Sequence, residues 1–170
     1  MTEKLFKEIS PFDITDNPCT AFGKEWALLT AGDKEKATMM TIAWAGLGVL
    51  WNRNVVFVFV RPQRYTYIYM EKEPVFSVGF FPEEHRDALK LCGSLSGHKK
   101  EKVKESGLTL RRHNTVPYFA ESRLTLICRK LYFQDLEPKN FIDASIDGNY
   151  PSKDYHRMYV GEIETVLAAR

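Results

Sequence analysis

Arg61-Pro62-Gln63-Arg64-Tyr65-Thr66 is the densest group of ligand-binding residue types in the chain, and it directly follows the apolar run 55–60. Two guanidiniums, a hydroxyl and the free backbone N–H groups of a helix start converge at such a corner. That set suits a phosphate, because the helix dipole and charge-assisted donors act on the same oxygens. The same six residues also suit a solvated surface on which Thr66 only caps its own helix. A second donor-rich stretch is Cys92-Gly93-Ser94-Leu95-Ser96-Gly97-His98-Lys99-Lys100. Its small residues let backbone approach a ligand closely, and its hydroxyls and cations can donate to phosphate oxygens; a flexible linker between two helices is the plainer alternative. Residues 37–44, Ala-Thr-Met-Met-Thr-Ile-Ala-Trp, place Thr38 and Thr41 among apolar neighbours including Met40 and Trp44. A planar ring system needs that mixture of apolar faces and edge donors, although a plain barrel strand with two threonines has the same pattern.

Catalytic arrangements made by side chains alone are missing. The chain has no GxSxG elbow, no GxGxxG fingerprint, no GxxxxGK[ST] loop and no carboxylate pair that stands out by position. Any chemistry is therefore expected to be a cofactor's own. A metal is not expected, since His85, His98, His113 and His156 lack ligand spacing, and Cys19, Cys92 and Cys128 contain no CxxC pair. The three thiols are read as ordinary buried or half-buried residues. Lys and Arg number 24 against 22 Asp and Glu, a balance that supplies no field for nucleic acid or an anionic membrane. No apolar stretch approaches the roughly 20 residues needed to span a bilayer, and residues 1–4 do not resemble a signal peptide. The expectation is a soluble, cytoplasmic protein that binds neither nucleic acid nor membrane.

With 170 residues the chain is the size of one domain. Residues 1–18 read as an N-terminal arm, and 143–155, polar with Gly148 and Pro151, as a mobile loop. Between them, 26–31 and 38–44 form a hairpin around Gly32 and Asp33. The run 55–60, wholly β-branched and aromatic, reads as a central strand covered on both faces. A helix over 66–72 starts on Thr66 as N-cap, and a strand over 75–81 follows. A second helix opens at Pro82 and stops at Gly93; a third covers 101–106 and stops at Gly107. Strands over 122–133, with Leu124, Leu126 and Cys128 on one face, and over 159–167 complete the set. About six strands and three short helices predict a mainly β, closed or nearly closed barrel plugged by helices.

Taken in order, TMMTIAW (38–44), VRPQRYTYIYME (60–71), FSVGFFPEEHRDALKLCGSLSGHKKEKVKESGL (76–108) and YVGEIE (159–164) resemble the flavin reductase-like, FMN-binding split-barrel family in its flavoredoxin-like form. The resemblance runs from about Ala21 to Val166. It implies an antiparallel Greek-key split β-barrel, a homodimer with FMN near its interface, and hydride or electron transfer involving the flavin. The electron donor is NADH or NADPH in some members and a redox protein partner in others. By resemblance, Thr38, Met39, Met40, Thr41, Ile42 and Ala43 border the isoalloxazine, and Trp44 lies beside it. Arg61, Arg64, Tyr65 and Thr66 fall on the motif that holds the phosphate, and Cys92, Gly93, Ser94, Ser96 and Gly97 with Lys99 and Lys102 complete that pocket. His156 matches a histidine near the flavin or nicotinamide and is the candidate catalytic residue. Position 38 is Thr where many relatives have Asn, and position 98 is His where Arg is frequent. Two other readings are a flavin-binding electron carrier without a substrate pocket, and a heme or pyridoxine-phosphate protein of a neighbouring split-barrel family.

Overall fold

The structure is a computed structural model describing residues 5–97 and 101–170. Its centre is one antiparallel sheet. β1 (Phe6–Ile9) leads, through a 3-10 turn at Pro11–Asp13 and a short helix α1 (Pro18–Thr20), to β2 (Ala27–Gly32) and β3 (Ala37–Ile42). β4 (Ala45–Leu50) and β5 (Arg53–Val60) follow, then helix α2 (Tyr65–Lys72), β6 (Val75–Phe80) and helix α3 (Arg86–Ser94). Helix α4 (Lys102–Ser106), the two-stranded ribbon of β7 (Leu110–His113) and β8 (Val116–Phe119), β9 (Leu124–Asp135) and β10 (Arg157–Ala169) complete the chain. The strand order is β3-β2-β6-β9-β10-β5-β4, and β1 adds to the far end of β10. Its two outer strands, β3 and β4, are not paired with each other among the described residues, so the barrel is split rather than closed.

The hairpin turns follow from local chemistry. Asp33 Oδ1 accepts from the backbone N–H groups of Glu35 and Lys36 at 2.9 and 2.8 Å, which folds the tip between β2 and β3. Trp51 and Asn52 both take positive φ, 53° and 58°, between the paired Leu50 and Arg53. That is the two-residue turn whose twist matches a β-hairpin. Leu124, Leu126 and Cys128 do share a buried face, packed with Val56, Val58 and Val60. On the other side of the sheet, Leu28 and Met39 pack against Leu89 and Cys92 of α3 and against Leu108. Period-two alternation therefore gives β3 two jobs: Met40 and Ile42 face the interior, and Met39 faces α3.

Several expectations are corrected. Ten strands form among the described residues rather than about six. The arm is not merely a leading loop: β1 pairs with β10 from Phe6↔Ala169 to Ile9↔Val166, and Ile9 and Ile14 pack on the core. β5 is covered fully on one face only, since Phe57 and Phe59 are half-buried. Thr66 is not the N-cap of α2. Arg64 holds that position, without a side-chain cap, and Thr66 lies inside the first turn. Gly93 does not stop α3, which runs to Ser94 because nothing there forces a left-handed residue; at Gly107, with φ 69°, α4 does end. Cys19 is exposed, while Cys92 and Cys128 are buried. The segment 143–155 holds a 3-10 helix, Ala144–Asn149, capped by Asp143, whose Oδ1 accepts from Ser145 N. Among the described residues no helix is long and apolar enough to cross a membrane.

Candidate functional site

The turn from β5 into α2 and the C-terminal end of α3 come together because β3 lies between them. Arg64 Nη1 donates to the Gly93 carbonyl at 2.9 Å and so ties the start of α2 to the end of α3. Thr66 is buried, its Oγ1 3.4 Å from that of Thr38, also buried, so the two hydroxyls face each other across the α2–β3 contact. Lys102 comes in from α4. Its Nζ donates to the Met39 carbonyl at 3.1 Å and to the Cys92 carbonyl at 2.8 Å, with 5% of the residue exposed. No carboxylate pairs with it among the described residues, and burial lowers its pKa to about 8. Burial, reinforced by Arg61, also lowers that of Arg64. These groups surround a cavity of about 450 Å³ lined by Arg61, Arg64, Tyr65, Ser94, Ser96, Gly97 and Lys102. A larger cavity, about 670 Å³, adjoins it across Tyr65, Gly97 and Lys102 and includes Thr38.

Several residues expected at this corner are engaged otherwise. Arg61 donates to Asp154 Oδ2 at 2.8 Å and to the Asn149 carbonyl at 2.9 Å, and its guanidinium lies 5.0 Å above the Tyr150 ring. It thus binds the 143–155 segment while still lining the cavity. Ser94 Oγ donates back to the Lys90 and Leu91 carbonyls of its own helix. The Cys92 thiol is buried and pushed up to about 11 by desolvation. Gly93 sits against Thr41, where a Cβ would meet the Thr41 Cβ at 3.4 Å. Gly97 is required for close approach, since a Cβ there would lie 2.6 Å from Tyr65 Cδ1. His98 and Lys99 lie outside the described residues.

Beyond β3 a third cavity, about 200 Å³, is lined by Met40, Thr41, Ile42, Ala43 and Trp44 together with Phe59, Arg61, Arg64 and His156. Met39 contributes only its carbonyl to the region, its side chain being buried against α3. The Thr41 hydroxyl donates to the Leu89 carbonyl at 2.5 Å, so it docks α3 as well as lining the cavity. His156 is buried, its ring centroid 5.0 Å from that of Trp44, and its Nδ1 lies 2.8 Å from the Tyr150 hydroxyl. Burial, with Arg61 as the second cause, lowers its pKa to about 4. Sequence reasoning missed Tyr150, Asp154 and Phe59. The first two lie in the stretch read only as a polar loop, and the β10–β5 pairing, with Arg157 opposite Val60, is what brings that stretch to Arg61.

A protein-family model described as the flavin reductase like domain matches residues 20–169. The chain belongs to this family. Among solved structures, this flavin reductase-like domain is similar to flavoredoxin from Methanosarcina acetivorans, with 26% identity, a TM-score of 0.66 and coverage of 85% of this chain and 68% of that one. The FMN-binding domain of a flavin reductases-like enzyme from Shewanella baltica matches at 16% identity and TM-score 0.69, over 99% and 79% of the two chains. An NADH:FAD oxidoreductase from Streptomyces globisporus, in complex with NAD and FAD fragments, matches at 14% and 0.65, over 85% and 74%. At such identities the last two support the fold alone. No curated protein sequence matches the chain. Around the flavin reductase-like domain's 450 Å³ cavity, three cations and no carboxylate line the wall among the described residues. That donor set suits a multiply charged anion.

Proposed function

We propose that the chain is an FMN-binding oxidoreductase that moves hydride or electrons between NADH, NADPH or a redox protein partner and flavin. The observation that carries this reading is Lys102, a buried ammonium held among the described residues by two backbone carbonyls alone, at the wall of a cavity shared with Arg61 and Arg64. An ammonium has three donors, and the described residues use two. A buried cation without a counterion is costly, and a bound phosphate supplies the missing charge. Gly97 supports the same reading, because its lack of a Cβ keeps the wall beside Tyr65 open.

When bound, FMN would supply the two-electron chemistry itself. The residues then divide the work. Arg64, Lys102 and the first turn of α2 would hold the phosphate, with Arg61 shared between that cavity and the 143–155 segment. The backbone of 40–43, with Trp44 and Phe59, would flank the ring and exclude water from one face. His156 would stand at the ring's edge. Trp44, Val49, Trp51 and Phe133 are exposed apolar residues, which supports a second copy of the chain as the missing cover over Trp44 and the outer strands.

Titration of the purified chain with FMN and with riboflavin, followed by flavin fluorescence, tests the cofactor. FMN should bind at least tenfold more tightly; equal affinities sink the phosphate reading. Anaerobic addition of NADH or NADPH, with bleaching of the flavin absorbance, separates a direct reductase from a partner-fed carrier. Sedimentation at micromolar concentration tests the dimer.

A further inference from the structure

Tyr150 belongs to none of the sequence motifs, yet it connects the 143–155 segment to both sides of the ring cavity. Its residue is 2% exposed, its hydroxyl lies 2.8 Å from His156 Nδ1, and the Arg61 guanidinium covers its ring at 5.0 Å. Phe141 stacks on it at 6.1 Å between centroids with 17° between planes, so the phenol has little freedom to turn. Proton positions follow from these contacts. Burial raises the Tyr150 pKa, so the phenol stays protonated, and among the described residues the only hydrogen-bond partner of its hydroxyl is His156 Nδ1. With no other acceptor for it among the described residues, the proton of the buried phenol goes to Nδ1, which acts as acceptor. In a neutral imidazole the other nitrogen carries the proton. His156 Nε2 has no hydrogen-bond partner among the described residues and is not shut away from solvent, and the ring lines the 200 Å³ cavity beside Trp44.

We propose that Tyr150 is a positioning residue that fixes His156 with its proton on Nε2, presenting a neutral hydrogen-bond donor to acceptor atoms on the edge of the planar ring bound beside Trp44. The assignment of the ring rests on the flavin reading; the assignment of the proton does not. The charged and titratable groups that face His156 are Arg61 after β5, Arg64 at the start of α2, and Tyr150 and Asp154 from the 143–155 segment. Two cations and burial oppose a charge on the imidazole, and Asp154, already bonded to Arg61 and Gln63, offsets this only in part. His156 is therefore a fixed donor near neutral pH, not an acid.

Nitrogen-15 NMR of the histidine rings in the full chain, with and without FMN, tests this directly. In the wild type, His156 should give a protonated Nε2 and an unprotonated Nδ1, with no titration from pH 5.5 to 8. Tyr150→Phe keeps the stacked ring but removes the donor that favours the neutral form. Its His156 pKa should rise by about half to one pH unit, with the two tautomers averaging. A merely structural role for Tyr150 would leave tautomer and titration unchanged in a folded variant. A proton on Nδ1 in the wild type, or a wild-type titration near the ordinary 6.5, overturns the proposal even if the variant does not fold. With FMN bound, as read by absorbance, the Nε2 resonance must move; binding without that movement also overturns it. Failure to bind FMN, with the wild-type tautomer as stated, removes the cofactor reading and leaves the proton assignment standing.

Discussion

Raising the pH from 7 to 9 should stabilise the flavin-free protein through Lys102 and weaken its hold on FMN through the same residue. Burial lowers the Lys102 pKa from 10.5 to about 8. Between these values the unfolded chain carries a proton that the folded chain has released, so this group's contribution to stability rises with pH; its penalty is fully present below about pH 7. Integrating the difference in bound protons from pH 7 to 9 gives the equivalent of about one pKa unit, or roughly 1.4 kcal/mol. Cys92 and Cys128, whose pKa values burial raises, act in the opposite sense toward pH 9. Comparison with Lys102→Met, which retains both thiols, removes them. The assay is urea unfolding by tryptophan fluorescence at pH 7, 8 and 9, with the wild-type minus variant difference as the readout. A bound phosphate that keeps Lys102 charged forfeits the same free energy, so FMN affinity should fall about tenfold over this range while riboflavin affinity holds. A stability difference that does not change with pH, or FMN and riboflavin weakening in parallel, would refute the argument.

Thr41→Val removes the hydroxyl that donates to the Leu89 carbonyl. It should cost about 1 kcal/mol in urea unfolding and leave the FMN-to-riboflavin affinity ratio unchanged; a changed ratio means that Thr41 touches the phosphate region. Gly97→Ala drives a Cβ to 2.6 Å from Tyr65 Cδ1. Overpacking of about 1–3 kcal/mol should then appear as weaker FMN binding, relieved by adding Tyr65→Ala. Gly161→Ala, aimed at Phe76 Cε1 2.7 Å away, should destabilise the fold by a similar amount; a wild-type unfolding midpoint would mean that the Phe76 ring has room to move. Asp154→Ala frees Arg61 and Gln63. Amide exchange across 144–155 should accelerate while β9 keeps its protection; equal exchange in both proteins would show that this latch does not hold the segment.

Where the chain alternates or is uniformly β-branched, the fold is readable from sequence: β2, β3, β5, β6 and β9 fall within a residue or two of where the pattern predicts them. β4 is invisible to that reasoning because Ala45-Gly46-Leu47-Gly48 has low intrinsic strand preference; pairing with β5 imposes the conformation. β1 is short and charged, and it exists because β10 offers an open edge. The site divides in the same way. Residues 38–44, the Arg61–Thr66 corner and Lys102 meet as the motifs suggest, since each motif is local and the hairpin and helices carry them together. Arg61's engagement with Asp154 and Tyr150 is not local. It joins residues about ninety positions apart through the register of β10 on β5, and neither spacing nor composition encodes that register.

The position of β10 also has a bearing on how the chain is made. β5 gains its partner β4 as soon as the hairpin leaves the ribosome, but its other edge must wait for Arg157–Glu162, almost a hundred residues later. At ordinary translation speeds this leaves Val55-Val56-Phe57-Val58-Phe59-Val60 with one bare edge for roughly 5–20 s. The segment has the composition of a steric zipper, β-branched and aromatic, uncharged and free of proline. Nascent chains on neighbouring ribosomes thus compete with β10 for the same hydrogen bonds, and slow codons after β5 would lengthen that competition. Soluble yield should therefore depend on the pace of synthesis between β5 and β10 more than on the stability of the finished protein.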